Sequence, residues 1–226
     1  MTEALIKVKE LGMDFSNQHL FHQLNFEVDR GNFLSIIGEN GVGKTTLIRL
    51  LLNQLTPTHG QIIFQKNLNI GYVPQFRNID RDYPLSIRDF VALNLNESRM
   101  PWLNHHEKEL LDNILRETKL TEIQNIRMGQ ASGGQKQRAY LAQALVDHPD
   151  LLILDESTAS LDVVNKIELF NLVQHFNQKH HLTVLSVTHD FELMKKYSDV
   201  YLWLKKDSYQ FGKVQDLNAK EVRFDV

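Results

Sequence analysis

The chain has 226 residues, a net charge of −3 with neutral histidines, and 42% hydrophobic residues, a composition typical of a globular chain that can bury a core. The absence of cysteine excludes a disulfide framework and a thiolate metal site. The slightly acidic balance gives no bulk attraction to nucleic acid, and no run approaches the roughly 18 apolar residues that a membrane span needs. We therefore expect a soluble, cytoplasmic protein that reaches a membrane only through a partner.

The first 75 residues are predicted to be mostly β, with one helix. Alternating or uniformly apolar runs predict strands at residues 4–9, 20–28, 33–37, 61–64 and 69–73. Residues 12–17 are expected to break the first strand, and the composition of residues 29–32 indicates a turn. A helical pattern runs from Leu47 to Leu55, and the Pro and Gly of residues 56–60 are expected to end that helix.

Residues 76–130 have a helical pattern with little β character. Amphipathic stretches predict helices at residues 86–95, where Ser86 would be the cap, and at residues 106–120, with a short helical turn at 121–126. We expect this segment to be a helical subdomain inserted into one domain, whose core consists of residues 1–75 and 131–226.

Strands and helices alternate after residue 130. A helix opens near Ala131 and is expected to stop at Pro149, and a second helix starts at Asp162, with Val163, Ile167 and Phe170 among its apolar positions. Strands are predicted at residues 151–155, 182–187, 200–204 and 208–214, with a helix at 190–197. This alternation predicts an α/β fold with a parallel sheet, and the uniformly apolar run 151–154 is typical of a central strand that is covered on both faces.

A phosphate-binding loop follows the strand at residues 33–37. Residues 38–45 read G-x-x-x-x-G-K-T between a strand and a helix, which is the context that the P-loop requires. Its glycines let backbone N–H groups turn inward around phosphate oxygens, and the next helix directs its positive end at the same anion. Lys44 would reach the β- and γ-phosphates, and the Thr45 hydroxyl would bind Mg²⁺. The candidate nucleotide-binding residues are Gly38, Glu39, Asn40, Gly41, Val42, Gly43, Lys44, Thr45 and Thr46.

Two acidic residues, Asp155 and Glu156, end the apolar strand at 151–155. Ligands bind at the carboxyl ends of strands in open α/β sheets. Asp155 suits the oxygen shell of Mg²⁺, and Glu156 is placed to polarise an attacking water. Two acids alone could simply end a strand in solvent, but together with a P-loop they indicate a catalytic pair.

The stretch from Ala131 to Gln135 reads A-S-G-G-Q and has two interpretations. Ser132 and Gln135 form a capping box, which stabilises a helix start by roughly 1 kcal/mol and needs no ligand. A capping box does not require Gly133 and Gly134, which cost roughly 1 kcal/mol each in a helix. Two glycines at a helix N-terminus favour a surface that faces phosphate.

These motifs together resemble the nucleotide-binding subunits of ABC transporters along almost the whole chain. The resemblance assigns Gln75 to the Q-loop, residues 131–135 to the signature motif, residues 151–155 to Walker B, Glu156 to the catalytic glutamate, residues 160–162 to the D-loop and His189 to the switch histidine. Two positions depart from the family pattern, because Ala131 replaces the usual leucine and Ser157 a frequent proline. Neither departure removes a reacting group.

The resemblance implies a P-loop NTPase core of the ABC ATPase type, with an N-terminal antiparallel β subdomain and an inserted α-helical subdomain. It also implies that two copies enclose two ATP molecules, each between the P-loop of one copy and Ser132, Gly133, Gly134, Gln135 and Asp162 of the other. Within each site Phe15 would stack on adenine, Gln75 would contact Mg²⁺ and the attacking water, and His189 would contact the γ-phosphate. A phenylalanine in the core remains the alternative for Phe15.

Residues 70–87 look like those of ATPases from importers for zinc, manganese or iron. This resemblance implies integral-membrane permease subunits as partners, an extracytoplasmic metal-binding protein that acts through the permease, and a place on the cytoplasmic face of the membrane. The alternative is a soluble ABC ATPase that acts on ribosomes or DNA, although such proteins usually have two cassettes or long coiled coils. We expect no nucleic-acid partner. An unrelated P-loop kinase is disfavoured by Ser132 to Gln135 and by His189.

Overall fold

The computed structural model describes residues 4–15, 18–74, 80–95, 102–155 and 162–217, without the side chains of residues 15, 18 and 19. Its strands are β1 (Ala4–Phe15), β2 (Gln18–Asp29), β3 (Phe33–Ile37), β4 (His59–Phe64), β5 (Ile70–Val73), β6 (Leu151–Asp155), β7 (Thr183–Val187), β8 (Val200–Lys205) and β9 (Ser208–Lys213). Its helices are α1 (Lys44–Leu51), α2 (Ile87–Ala92), α3 (His105–Glu117), α4 (Gly133–Leu145), α5 (Val163–His180) and α6 (Phe191–Tyr197). Short 3₁₀ turns cover Thr121–Ile123, Met128–Gln130 and Val214–Asp216.

Two sheets form the β structure. A three-stranded antiparallel sheet has the order β2-β1-β4, and a six-stranded sheet has the order β5-β6-β7-β3-β8-β9, in which only β9 is antiparallel to its neighbour. The predictions of a parallel sheet and of an N-terminal antiparallel one are confirmed. β3, β6 and β7 are buried along their whole length, as expected for parallel strands that are covered on both faces.

The two faces of the six-stranded sheet pack against different partners. On one face α1 and the antiparallel sheet share a core with Leu34, Ile36 and Ile153. On the other face the core contains residues of α2 to α6 together with Leu152 and Leu154. Neighbouring residues of β6 therefore point to opposite faces, and α1 and α4 lie on opposite sides of the sheet.

Local capping chemistry was predicted correctly from the sequence. Ser86 accepts a hydrogen bond from the N–H of Asp89 at the start of α2. Asp162 accepts one from the N–H of Asn165 at the start of α5. In each case the side-chain oxygen satisfies a backbone donor that the helix cannot pair internally.

Two predicted details are wrong. Residues 12–17 do not break the first strand at Gly12, because β1 continues to Phe15 through register shifts, with the Gly12 carbonyl accepting from Thr58 N–H. The first helix ends at Leu51 instead of Leu55, since Asn53 adopts a left-handed conformation (φ 55°) that ends helices. In α5 Val163 was named only as an apolar position; it is 70% exposed, and the buried stripe begins further along the helix, at Leu169 and Phe170.

Candidate functional site at the carboxyl edge of the parallel sheet

The carboxyl ends of three adjacent strands bring the P-loop, Asp155 and the segment of His189 to one edge of the sheet. Val187 of β7 is the register partner of Ile36 on one side and of Asp155 on the other. The N–H of Thr188 then donates to the carbonyl of Ile36 at 3.2 Å. Asp155, Thr188 and Gly38 therefore follow one another in this order across the edge, where open α/β sheets bind ligands.

The P-loop glycines are required by backbone geometry at both ends of the loop. Gly38 has φ 151°, and a Cβ there would lie 2.4 Å from the carbonyl oxygen of Leu204. Gly43 has φ 103°, and its Cβ would lie 3.0 Å from the Phe21 ring. Any other residue would strain the backbone and push the loop away from β8 and β2, so these glycines let the loop wrap tightly above β3.

A cavity of about 280 Å³ opens above this loop. Its lining consists of Leu20, Asn40, Gly41, Gly43, Lys44, Thr45 and Thr46. Gly38, Glu39 and Val42 belong to the loop but not to this lining among the described residues; Glu39 is exposed, whereas Gly38 and Val42 are buried. Because α1 begins at Lys44, its N-terminus points at the cavity with its partial positive charge. The cavity therefore suits an anion with several oxygen atoms.

Lys44 supplies a full positive charge at the base of the cavity. Only 5% of the residue is exposed, and its Nζ donates to the carbonyl oxygens of Gly38 at 2.9 Å and Glu39 at 2.7 Å. The ammonium group is thus held on the loop itself, within reach of an anion that enters. Thr45, the next residue, is exposed, and its hydroxyl is available to a metal ion.

Asp155 provides the carboxylate of the site. It is 6% exposed, and the Tyr72 hydroxyl donates to its Oδ2 at 3.3 Å. One carboxylate and the Thr45 hydroxyl suit Mg²⁺, which keeps several waters and takes its other oxygens from a bound phosphate. Tyr72 was not predicted as a site residue. Its only signal in the sequence is its position near the end of β5, beside β6 in the sheet.

His189 lies just beyond β7 and is exposed. The Thr188 hydroxyl accepts from the N–H of Asp190, and Asp190 in turn caps α6 by accepting from the N–H of Leu193. The backbone on both sides of His189 is therefore fixed, at the same edge of the sheet as the P-loop.

The signature residues form a second surface, at the start of α4. Ser132 and Gln135 make both hydrogen bonds of the capping box, at 3.3 Å and 2.8 Å. Ser132 and Gly133 are exposed, whereas Gly134 and Gln135 are half-buried. The predicted capping box is therefore present. The helix N-terminus beside it is still exposed and can also bind an anion.

Gly134 has a packing role that was not predicted. A Cβ at this position would lie 2.3 Å from Oδ1 of Asn165. Asn165 also donates from Nδ2 to Asp162 at 2.7 Å. Hydrogen bonds from Asn165 hold the pKa of Asp162 below its ordinary value. Gly134 thus lets the first turns of α4 and α5 lie side by side, which places Asp162 next to the residues Ser132 to Gln135.

Some predicted site residues cannot be placed. Gln75 and Glu156 lie outside the described residues, as does the side chain of Phe15. Among the described residues, no group of three or more His, Asp or Glu side chains is arranged to hold a metal ion. No helix in the described ranges is long and apolar enough to span a membrane.

The chain is similar to ATP-binding proteins of metal importers. The sequence profile of the family described as ABC transporter matches residues 21–159. The zinc uptake system ATP-binding protein ZurA of Listeria innocua is 32% identical, over 89% of this chain and 83% of its own length. The zinc import ATP-binding protein ZnuC of Rickettsia conorii is 34% identical, over 90% of this chain and 84% of its own.

The solved structures agree with the sequence comparison. An inward-facing ABC transporter described as of the metal-chelate type contains a chain that superposes with a TM-score of 0.88, at 29% identity, over 97% of this chain and 87% of that one. The profile match covers more than half of the sequence, and the relatives are similar along most of it. The chain belongs to the ABC transporter family and is one of its ATP-hydrolysing subunits.

Proposed function

We propose that this ATPase energises an integral-membrane permease that imports a divalent metal ion, with zinc as the first candidate. The observation that carries the proposal is the extended similarity to ZurA and ZnuC, whose names describe zinc uptake and import. The ATPase itself would not touch the metal, so the ion would be selected by the permease and by an extracytoplasmic binding protein. The chain would act at the cytoplasmic face of the membrane, attached through the permease.

The roles proposed for the site residues follow from their chemistry. Lys44 and the N–H groups of the P-loop bind the phosphates of ATP, and Thr45, Asp155 and Gln75 share the Mg²⁺ ion. Glu156 polarises the attacking water, and His189 contacts the γ-phosphate.

Two further elements complete each site. Phe15 stacks on the adenine ring. The signature surface, defined as Ser132 to Gln135 with Asp162, contacts the ATP that is bound to the P-loop of a second copy. Its support is an exposed helix N-terminus that lies outside the P-loop cavity of its own chain. Residues 1–75 and 131–226 would form the nucleotide-binding core, and residues 76–130 the helical subdomain that faces the permease.

Transport by a purified complex tests the proposal. The chain is purified with the membrane protein that it binds and reconstituted into lipid vesicles, and ATP-dependent uptake of radioactive zinc is measured with manganese and ferrous iron as competitors. We expect zinc uptake that requires ATP and that excess zinc suppresses most strongly. Zinc uptake that excess manganese or ferrous iron suppresses more strongly than excess zinc does would refute the choice of metal. Recovery with ribosomes or DNA, and never with a membrane protein, would refute the transport function.

A further inference from the structure

Gln137 has a buried side-chain amide without a hydrogen-bond partner. Within the described ranges, three buried side-chain nitrogen or oxygen atoms have no partner, and two of them are Nε2 and Oε1 of Gln137. The residue is 1% exposed. Burying an unpaired amide costs roughly 1–3 kcal/mol in proteins. An apolar side chain of the same size would avoid this cost, so the amide calls for an explanation.

The amide lies on the side of α4 that faces the sheet. Gln137 is four residues before Leu141 and seven before Ala144, which places the three on one stripe of the helix. The carbonyl of Ala144 would lie 2.3 Å from a Cβ on Gly71, so this stripe packs directly against β5. Tyr140 and Arg138, on either side of the stripe, contact α2 and α5 instead.

The position of Gln137 along the sheet follows from the direction of α4. Asn69 at the start of β5 donates to the carbonyl of Asp147, and Gly71 lies against Ala144, so α4 runs antiparallel to β5. Seven helical residues rise about 10 Å, which is about three residues of strand. Gln137 therefore lies at the level of Pro74, just past the end of β5.

The same level marks the end of β6. Val73 pairs with Leu154, so Pro74 and Asp155 are the next residues of the two adjacent parallel strands. Gln75 and Glu156 are the residues that follow them in the sequence. The unpaired amide thus lies beneath the points where both strands pass into residues of the proposed catalytic set, on the face opposite α1.

We propose that Gln137 is a positioning residue for ATP hydrolysis, whose amide hydrogen-bonds the main chain at Pro74 and Asp155 when ATP and Mg²⁺ are bound. A glutamine amide both donates and accepts. Pro74 has a carbonyl but no N–H, so it suits the donor side of the amide. These bonds fix the starting points of Gln75 and Glu156, so the inference rests on the roles proposed above for those two residues.

A substitution by methionine separates this role from a structural one. Methionine has nearly the same size and helix propensity as glutamine but no amide. In Gln137→Met we expect kcat for ATP hydrolysis to fall by about tenfold or more. A tenfold change corresponds to about 1.4 kcal/mol, which is the typical contribution of one hydrogen bond. KM for ATP should change by less than about twofold, because Gln137 does not belong to the lining of the P-loop cavity. The melting temperature should stay the same or rise, because an unpaired buried amide is removed.

Gln143 provides a matched control on the same helix. Its Nε2 donates to the carbonyl of Phe90 at 2.8 Å. Gln143→Met should therefore lower the melting temperature and leave kcat unchanged, the opposite of the result expected for Gln137→Met. The two variants have the same chemical change in the same helix. They differ in what the amide meets and in burial, since Gln137 is buried and Gln143 is half-buried.

The outcomes are distinct. A wild-type kcat in Gln137→Met would overturn the inference, and so would a lower melting temperature, which would mean that the amide is already paired without ATP. Glu156→Gln is measured in parallel, with loss of hydrolysis and retained ATP binding expected. Normal hydrolysis by Glu156→Gln would refute the proposed role of Glu156 itself. If Glu156→Gln is inactive but Gln137→Met is fully active, only the inference about Gln137 is refuted.

Discussion

Single side chains at the carboxyl edge of the sheet are held by neighbours that belong to other elements. The Lys44 ammonium group rests on the carbonyl oxygens of Gly38 and Glu39, so phosphate oxygens that enter the cavity compete with these carbonyls for it. The buried Asp155 carboxylate receives the Tyr72 hydroxyl from β5. A partner that orients a metal-binding carboxylate tunes the affinity for the metal without touching it.

Tyr72→Phe tests that contribution at the scale of one hydroxyl group. We expect the Mg²⁺ concentration for half-maximal ATP hydrolysis to rise by up to about tenfold, since loss of such an orienting partner typically weakens a metal site by 10- to 100-fold and this bond is long at 3.3 Å. Binding of ATP without Mg²⁺ should be unchanged.

The measurement is a Mg²⁺ titration of the hydrolysis rate at saturating ATP. Tyr209→Phe is the control, because the Tyr209 hydroxyl contacts Asn25 and Gln23 in the antiparallel sheet. An unaltered Mg²⁺ requirement would mean that Tyr72 does not orient Asp155.

Among the elements, α3 and α5 are joined at their C-terminal parts by one carboxylate. Glu117 ends α3 and lies 3.1 Å from Lys179, 3.4 Å from His180 and 3.7 Å from His175, all on α5. Burial raises the pKa of Glu117, but hydrogen bonds and charges from Lys179 and His180 outweigh it, so the pKa lies below the ordinary value of 4.5. This contact connects the segment proposed as the helical subdomain to the proposed core.

Glu117→Gln should therefore destabilise the fold in a pH-dependent way. A lowered folded pKa means that the stabilisation is fully present above the unfolded pKa and is lost as the pH falls through the folded one. At pH 7 we expect a loss of about 0.5 kcal/mol in the free energy of unfolding, since Lys179 is half exposed and such pairs are weak. Denaturant unfolding between pH 7 and pH 3 measures it. The difference from the wild type should shrink below pH 4.5, and a difference that stays constant down to pH 3 would contradict the assignment.

The sequence predicts elements well where the deciding interaction is local. Ser86 and Asp162 cap helices through residues three positions away, and the buried strands of the parallel sheet have mostly apolar sequences. It fails where a distant segment decides. β1 passes through Gly12 because β4 pairs with it, and Gly134 is required by Asn165, which is 31 residues further along the chain. The motifs similarly identify Lys44 and Asp155. They do not identify Tyr72, whose hydroxyl reaches Asp155 from the neighbouring strand, or Gln137, whose proposed role depends on its place against the sheet.

For the whole molecule, the P-loop cavity and the signature surface are two separate places on one chain. Among the described residues, the lining of the cavity contains none of the residues Ser132 to Gln135. Ser132 and Gly133 are nevertheless exposed at a helix N-terminus. If the signature surface contacts the ATP of a second copy, as proposed above, a dimer with a two-fold axis would contain two identical composite sites.

Mixing two inactive variants tests this arrangement. Lys44→Met removes the cation of the P-loop half, and Ser132→Arg places a bulky side chain on the exposed signature half. Each variant alone should have almost no ATPase activity, because every composite site in its homodimer contains one damaged half. A heterodimer of the two has one site with both halves damaged and one with both halves intact. An equal mixture should therefore recover up to about a quarter of the wild-type rate per chain, since half of the dimers are mixed and each has one working site.

The control is the double variant Lys44→Met with Ser132→Arg in one chain. Mixed with wild type, it forms heterodimers in which each site has one damaged half, so it should lower the wild-type rate instead of adding to it. Differently tagged chains confirm that heterodimers form before the rates are compared. If the two single variants form heterodimers but recover no activity, the arrangement of two shared sites that work independently would be wrong. Recovery without heterodimers would have the same consequence, because the activity would then belong to the separate homodimers.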